Sequence, residues 1–227
     1  MASILHYRRL VTHCRQALGA SLLWLLLLPA TAQAATLSAF DARYHLSVDG
    51  WPDATVHHRL QPEGEHWLSD MRARVAVAEG QESARFLSQG AQLQAIGYAS
   101  GYKLLGIGKR YQLNAPQLRQ TPDRQTALIQ LSSQVQQHGC SPSCELRYLD
   151  HKGEQERLIA TPMASRRMEV QGRSIDAPRV RLADPDKDDR HMVVTFHPEL
   201  AGLLLGVTYT KRGEQVSELA LTSLTLP

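Results

Sequence analysis

Apolar and polar residues alternate with a period of two along most of the chain beyond its first 34 residues. The first apolar stripe runs from Phe40 to Val48 and ends at a turn rich in Gly and Pro at 49–52, and similar stripes follow at 54–61 and 67–75. Such alternation is typical of strands that bury one face. Because short Gly/Pro turns favour antiparallel neighbours, the pattern predicts an antiparallel sheet with one apolar face.

The second half of the chain repeats the pattern. Its clearest stripes are Met192, Val194 and Phe196, then Leu205, Val207 and Tyr209. The last strand, predicted at 216–226, changes phase between Leu219/Leu221 and Leu224/Leu226, which indicates a β-bulge. The region 83–118 is less regular and is interpreted as two or three further strands with bends at its glycines.

One segment changes to a helical period. Leu128, Leu131 and Val135 recur at helical spacing after Thr121-Pro122-Asp123, which supplies an N-cap, a proline for the first turn and an acid. Gly139 provides a stop signal. The sequence predicts a helix at about 122–137.

These elements predict a mainly β fold: a curved antiparallel sheet, open or a half barrel, with one long helix packed on it. No linker, repeat or low-complexity tract divides the chain after its first 34 residues. We therefore expect a single β-rich domain at 35–227, a length that supports one hydrophobic core.

The first 34 residues have the pattern of a secretory signal peptide. A basic stretch ending at Arg15 precedes the apolar run 22–28, and Ala32-Gln33-Ala34 offers small residues for cleavage. The run is shorter than the roughly 20 residues of a membrane span. We predict cleavage near Ala34/Ala35, export to the periplasm and no stable membrane span afterwards.

The positions of the charged residues exclude nucleic acid as a partner. The chain has 25 Lys and Arg against 22 Asp and Glu, but Arg8, Arg9 and Arg15 lie in the segment before residue 35, which contains no acid. The remainder therefore carries 22 charges of each sign. A neutral body without a basic run lacks the electrostatic footprint of a nucleic-acid-binding protein.

Cleavage would remove Cys14 and leave Cys140 and Cys144, an even pair in an oxidising compartment. Ser141-Pro142-Ser143 between them favours a turn, so the interpretation is a disulfide. A zinc site formed with His138 and His151 is the alternative, although its spacing matches no standard zinc module. A redox-active pair is the third interpretation.

The order of elements resembles an exported bacterial family, domain of unknown function 3108. The similarity covers nearly all of 37–226, and it lies in four segments: LSAFDARYHLSVDG, TPDRQTALIQLSSQVQQ, MEVQGRSIDAPRVRLAD and VVTFHPELAGLLLGVTY. The chain departs from the family at Gly206, where the family often has proline, and in Cys140/Cys144. The resemblance implies a curved antiparallel sheet in the cell envelope and brings no catalytic residues.

The function predicted from these observations is that of a non-enzymatic binding or structural protein of the envelope. A sheet with one apolar face and a single helix leaves room for an apolar groove that takes a lipid, an acyl chain or a peptide. Its partner would be a lipid or another envelope protein, with no cofactor and no catalytic residue. The candidate lining residues are Trp51, Trp67, Tyr98, Tyr102, Phe196 and Tyr209.

An enzyme is the alternative. A periplasmic hydrolase, or a zinc-dependent protein that uses His138, Cys140, Cys144 and His151, belongs to a different class. The sequence contains no nucleophile elbow, no P-loop and no His-Glu-x-x-His motif. This makes a binding protein the preferred interpretation.

Overall fold

The alternating segments fold as antiparallel strands of one sheet. A computed structural model describes residues 37–90 and 92–227, so the predicted signal peptide at 1–34 and its cleavage site lie outside the described residues. Within those residues the sheet has twelve strands: β1 (Phe40–Val48), β2 (Ala54–Glu63), β3 (His66–Val75), β4 (Ala78–Gln89), β5 (Gln92–Leu104), β6 (Ile107–Asn114), β7 (Cys144–Leu149), β8 (Gln155–Val170), β9 (Arg173–Ala183), β10 (Arg190–Phe196), β11 (Leu204–Lys211) and β12 (Glu214–Thr225).

The sheet consists of two meanders joined side by side. Strands β1 to β6 follow one another across the first half, and β7 to β12 follow one another across the second. The halves meet where β1 pairs with β12 in antiparallel register. Strands β6 and β7 form the outer edges, so the prediction of a mainly β, antiparallel and open sheet is confirmed.

The predicted bulge in the last strand is also confirmed. Arg43 pairs with Ser223, whereas the next residue, Tyr44, pairs with Leu221, which leaves Thr222 as the extra residue. The hydroxyl of Thr222 donates a hydrogen bond of 3.0 Å to the carbonyl oxygen of Arg43. The bulge therefore brings Leu224 to the same face as Leu219 and Leu221 despite the change of phase.

The prediction of one long helix is not confirmed. The described part of the chain has two helices, α1 of four residues (Ala115–Leu118) and α2 of fifteen (Arg124–His138). The N-cap of α2 is Asp123 rather than Thr121, because the carboxylate of Asp123 accepts hydrogen bonds from the backbone N–H groups of Gln125 and Thr126. Gly139 ends α2 with a φ of +63°, as its position after the apolar stripe predicts.

Helix α2 packs on one face of the sheet, which we call the helix face. Its Ala127, Ile129 and Leu131 are at most 3% exposed. They join a core formed by inward side chains of both meanders, among them Phe40, Tyr44, Leu60, Phe86, Val194 and Phe196. The apolar stripe of each strand is therefore buried where α2 covers it.

The segment 197–203, between β10 and β11, holds the same helix from another side. The N–H of Gly202 donates to the hydroxyl of Ser132 at 3.0 Å, and the side-chain amide of Gln136 donates to the carbonyl of His197 at 2.7 Å. A Cβ on Gly202 would lie 2.9 Å from Ile129, so only glycine lets the segment approach this closely.

The two edges of the sheet approach each other at one end. The ring of Tyr111 in β6 lies edge-on to the ring of His151, just beyond β7, with 4.6 Å between centroids. The end of β7 also contacts the segment before α2, because the N–H of Leu149 donates to the carbonyl of Pro122. No helix among the described residues is both long and apolar enough to cross a membrane.

One ionisable side chain is buried in the core beneath the helix. His58 is 3% exposed and lies edge-on to Phe40 at 5.1 Å. Its Nε2 is 3.0 Å from the hydroxyl of Ser69, and its Nδ1 has no hydrogen-bond partner among the described residues. Burial, with a smaller effect from the charge of His57, lowers the pKa of His58 to about 4. The side chain is therefore neutral at pH 7.

His58 makes folding sensitive to mild acid. Since the pKa is about 4 in the folded protein and about 6.5 in an unfolded chain, the contribution of neutral His58 is complete above about pH 6.5 and is lost as the pH falls toward 4. Replacement by methionine, which fills irregular space and does not titrate, removes this dependence. We expect the difference in unfolding free energy between the native sequence and His58→Met to change by about 2 kcal/mol between about pH 7.5 and about pH 5. Urea unfolding at both pH values measures it.

The unfolding free energy of the native sequence has to be compared with that of the variant at each pH, because the titration of Asp123 changes stability in the opposite direction. Burial raises the pKa of Asp123 to about 6, although hydrogen bonds from Thr126 lower it, so its contribution to stability decreases as the pH rises from about 3.8 to 6. Ser47→Gln, a change between side chains that do not titrate at an exposed position of β1, is the control and should leave the pH dependence unchanged. An unchanged dependence in His58→Met would contradict the assignment.

Candidate functional site

Burial of the helix face decreases along the strands toward one end of the sheet. This end carries the turns β1–β2, β3–β4, β5–β6, β7–β8, β9–β10 and β11–β12, and we call it the mouth end. In β1, Phe40, Ala42 and Tyr44 are at most 2% exposed, whereas Leu46, next on the same stripe, is only partly buried. The same decrease runs from Ser69 to Met71 and Ala73 in β3, from Ala84 to Glu82 and Gly80 in β4, from Val194 to Met192 in β10 and from Leu205 to Val207 and Tyr209 in β11.

The part of the helix face that α2 does not cover forms a pocket of about 710 Å³. This volume lies within the 300–1,000 Å³ of typical ligand sites. The pocket is lined by Leu46, Val56, Met71, Ala73, Gly80, Gln81, Glu82, Ser100, Gly101, Tyr102, Tyr111, Arg124, His151, Met192, Val207, Tyr209, Ser217 and Leu219. Nine neighbouring strands, from β6 across the sheet to β10, thus contribute to one cavity.

Most of these lining side chains are aliphatic or aromatic, and the two residues of fixed charge bind each other. Arg124 donates to both carboxylate oxygens of Glu82, through Nε at 2.5 Å and through an amino group at 2.6 Å. The hydroxyl of Tyr98 donates to the same carboxylate at 2.7 Å. Although burial lowers the pKa of Arg124, the hydrogen bonds and charge of Glu82 raise it above its usual value. The pair is a charge-assisted, bidentate contact and leaves the pocket wall without an unpaired fixed charge.

The local sequence explains why Arg124 reaches this wall. Arg124 is the first residue of α2, directly after the N-cap Asp123, which is itself completely buried. Asp123 accepts hydrogen bonds from the N–H groups of Gln125 and Thr126, each at 3.0 Å, and from the hydroxyl of Thr126 at 2.7 Å. These bonds fix the first turn of the helix at the inner boundary of the pocket and direct Arg124 toward β4.

The residues predicted to line a groove separate into three groups. Tyr102 and Tyr209 line the pocket. Tyr98 and Phe196 are buried in core clusters at 3% and 0% exposure. Trp67 is partly buried against the main core, and Trp51 stands in the β1–β2 turn, 54% exposed.

The aliphatic lining was missed by the sequence reasoning, which selected bulky aromatics. Leu46, Met71, Val207 and Leu219 belong to the same period-two stripes as the core residues, so alternation assigns them to the correct face. It does not tell which end of a stripe the helix covers. Their nearness to the turns at the mouth end is the one available signal.

Cys140 and Cys144 are joined by a disulfide, as predicted. The bond connects the residue that follows the C-cap of α2 to the first residue of β7. A disulfide sulfur does not offer the thiolate that zinc requires. The two histidines of the alternative zinc site lie in different surroundings. His138 is exposed at the end of α2, whereas His151 packs against Tyr111 at the pocket.

Comparisons with known proteins add a structural similarity. No family model matches the chain, and the search of curated proteins finds no match. Among solved structures, the crystal structure of MucB is similar to this chain with a TM-score of 0.39 and 13% sequence identity. The match covers 86% of this chain and 55% of the MucB chain, so this chain spans about half of the length of MucB. Membership of the family of unknown function named above stays a prediction.

Proposed function

We propose that this chain is an exported envelope protein that holds an acyl chain in the uncovered half of its helix face. The observation that carries the proposal is the decrease in burial toward the mouth end, which leaves an apolar pocket of about 710 Å³. Apolar surface left unfilled by a protein's own side chains favours an apolar ligand, because burying each methylene group contributes about 0.8 kcal/mol.

In this proposal the sheet has the shape of a curved half barrel. Nine strands laid flat at about 4.8 Å spacing would span roughly 38 Å, yet all nine contribute to one pocket. The contact between Tyr111 and His151 supports the same curvature, since these residues lie at opposite edges of the sheet. In this shape α2 fills the cavity at one end, and the ligand occupies the other.

The charges of the pocket suggest how the ligand is oriented. Arg124 and Glu82 neutralise each other at the inner boundary, so a charged headgroup placed there would lose its hydration without gaining a free counter-ion. An acyl tail suffers no such loss. The ligand therefore enters tail first and keeps its polar group at the mouth end, near Tyr102, Tyr209 and Ser217.

The predicted export to the periplasm agrees with this function. The signal-peptide pattern of residues 1–34 directs the chain to the compartment that contains the envelope lipids. The disulfide is compatible with that oxidising compartment.

Native mass spectrometry of the protein purified from the envelope of its own cells tests the proposal. We expect a mass increment that corresponds to an acyl-containing lipid and that is released on denaturation. The same protein, stripped of lipid, should bind a fluorescently labelled palmitic acid. An unliganded native mass together with no binding of the labelled acid would overturn the proposal.

Filling the pocket should prevent binding. Ala73 lies on the pocket wall in β3 and is partly buried, so Ala73→Trp places an indole ring in the space of the ligand. Displacing only two methylene groups costs about 1.6 kcal/mol, which corresponds to a loss of more than about tenfold in affinity. Fluorescence titration with the labelled palmitic acid measures the loss.

Two further variants keep the test independent of misfolding. Ser217→Trp fills the pocket from the β12 wall, and Thr55→Trp introduces the same ring at an exposed position of β2 on the other face. The first should lose affinity, whereas the second should retain it. Equal affinity in all three variants, each with native circular dichroism, would place the ligand elsewhere.

The ion pair between Arg124 and Glu82 should contribute more to the stability of the fold than to the affinity for the ligand. Arg124→Gln leaves Glu82 with only the Tyr98 hydroxyl, so we expect a decrease in unfolding free energy of about 1 kcal/mol, since the guanidinium is partly solvated. The affinity for labelled palmitic acid should change by less than about threefold, because a tail-first ligand does not bind this charge. A loss as large as that of Ala73→Trp would show instead that Arg124 anchors the headgroup.

A further inference from the structure

Two neighbouring turns at the mouth end expose large apolar side chains to solvent. In the β5–β6 hairpin, Leu104, Leu105 and Ile107 are 41%, 75% and 81% exposed, and Val77 of the β3–β4 turn is 46% exposed. The turns are joined, because the N–H of Leu105 donates to the carbonyl of Val77 at 2.8 Å. We call these four residues the apolar tip.

The backbone at Leu105 is unfavourable for its residue type. Leu105 has a φ of +51° and precedes Gly106 at +85°, a hairpin turn for which Asn, Asp or Gly is preferred at the first position. Among the described residues, the other non-glycine residues with positive φ are Gln171 and Arg212, both polar and both followed by glycine. Leu105 thus combines backbone strain with an exposed apolar side chain, which suggests that the side chain has a function outside the fold.

Basic residues flank the apolar tip. Lys103, Lys109 and Arg110 are exposed beside it, and none forms an ion pair within residues 37–90 and 92–227. The acid nearest in register is Glu79, opposite Lys103, but its carboxylate pairs with Arg74 at 3.1 Å. The tip therefore presents apolar side chains flanked by three exposed basic residues.

We propose that the apolar tip docks the protein on an anionic lipid surface, with Leu105 and Ile107 inserted among the headgroups and Lys103, Lys109 and Arg110 on the lipid phosphates. Apolar side chains flanked by Lys and Arg are the chemistry of interfacial membrane binding. Charge complementarity favours this occupant over a second copy of the chain, since the same positive residues would face each other in a symmetric dimer.

The docking surface is continuous with the pocket. Tyr102, 50% exposed, lines the pocket and precedes the tip on β5, so docking would place the β5–β6 side of the mouth end against the membrane. The inference goes beyond the proposed function and does not require it. Binding to vesicles tests the tip, whereas binding of labelled palmitic acid tests the pocket.

Cosedimentation with lipid vesicles tests the proposal. The intact mass of the protein is measured first, so that the N-terminal residue of the sample is known. The probes are vesicles of phosphatidylcholine alone and vesicles in which about one third of the lipid is phosphatidylglycerol. We expect tighter binding to the anionic vesicles, reduced by added salt. Equal binding to both kinds of vesicle, or binding to neither, would overturn the proposal.

The variant Leu105→Asn distinguishes a loss of docking from a loss of folding, because it should weaken binding to vesicles without decreasing the stability of the fold. Asn suits the positive φ at this position, so the variant should unfold at the same temperature as the native sequence or higher. Its affinity for anionic vesicles should fall by about tenfold, since an inserted leucine side chain is lost. Unchanged vesicle affinity in a stably folded Leu105→Asn would contradict insertion.

Charge removal has a matched control at the other end of the sheet. Lys109→Gln should weaken binding to anionic vesicles about fivefold, whereas Arg173→Gln, an exposed charge of the distant β8–β9 turn, should not. Equal effects of the two substitutions would indicate attraction by net charge alone and would overturn the assignment of the tip. A lipid-free dimer in sedimentation velocity that Leu105→Asn dissociates would assign the tip to a second copy and would also overturn it.

Discussion

The pairing of β1 with β12 is the interaction on which the rest of the structure depends. Each six-strand meander has an apolar face that it cannot bury alone, and the pairing joins both faces into one surface. The pocket contains this junction, because Leu46 of β1 and Leu219 of β12 are register partners and both line it. The extra residue Thr222 keeps the alternation of β12 in phase with β1 beyond the pocket, so one bulge serves both the core and the site.

Helix α2 then determines how the joined surface is divided. The segment 197–203 and the disulfide hold its C-terminal half, and the Arg124–Glu82 pair fixes its first turn. The apolar face beyond the helix stays open as the pocket, which is the basis of the proposed function.

Most of the architecture could be predicted from the sequence, because its signals are local. The period-two stripes identified β1 and β10, and the phase change after Leu221 identified the bulge. The N-cap was misplaced because Thr121 and Asp123 are both capping residues two positions apart, and the structure shows that the Asp123 carboxylate accepts the hydrogen bonds of the first turn. Helix α1 is too short to show a period.

The site was harder to predict, since its defining contacts are distant in sequence. Arg124 and Glu82 are 42 residues apart, and no spacing rule relates them. Tyr44 and Leu46 are neighbours on one stripe, yet one is core and the other lines the pocket, because the division depends on the position of a helix from another part of the chain. Aromatic residues were favoured for their size, whereas seven of the eighteen residues of the wall are aliphatic or methionine.

The decrease in burial along the strands has a consequence for local stability. Strand ends that bury less apolar area open at a lower free energy than the ends beneath α2, and amide hydrogens exchange faster where opening is easier. The pocket wall is therefore the part of the sheet that rearranges without unfolding the core. For the proposed acyl ligand, such a wall would adapt to chains of different length, which leaves selectivity to the headgroup and to the proposed docking surface.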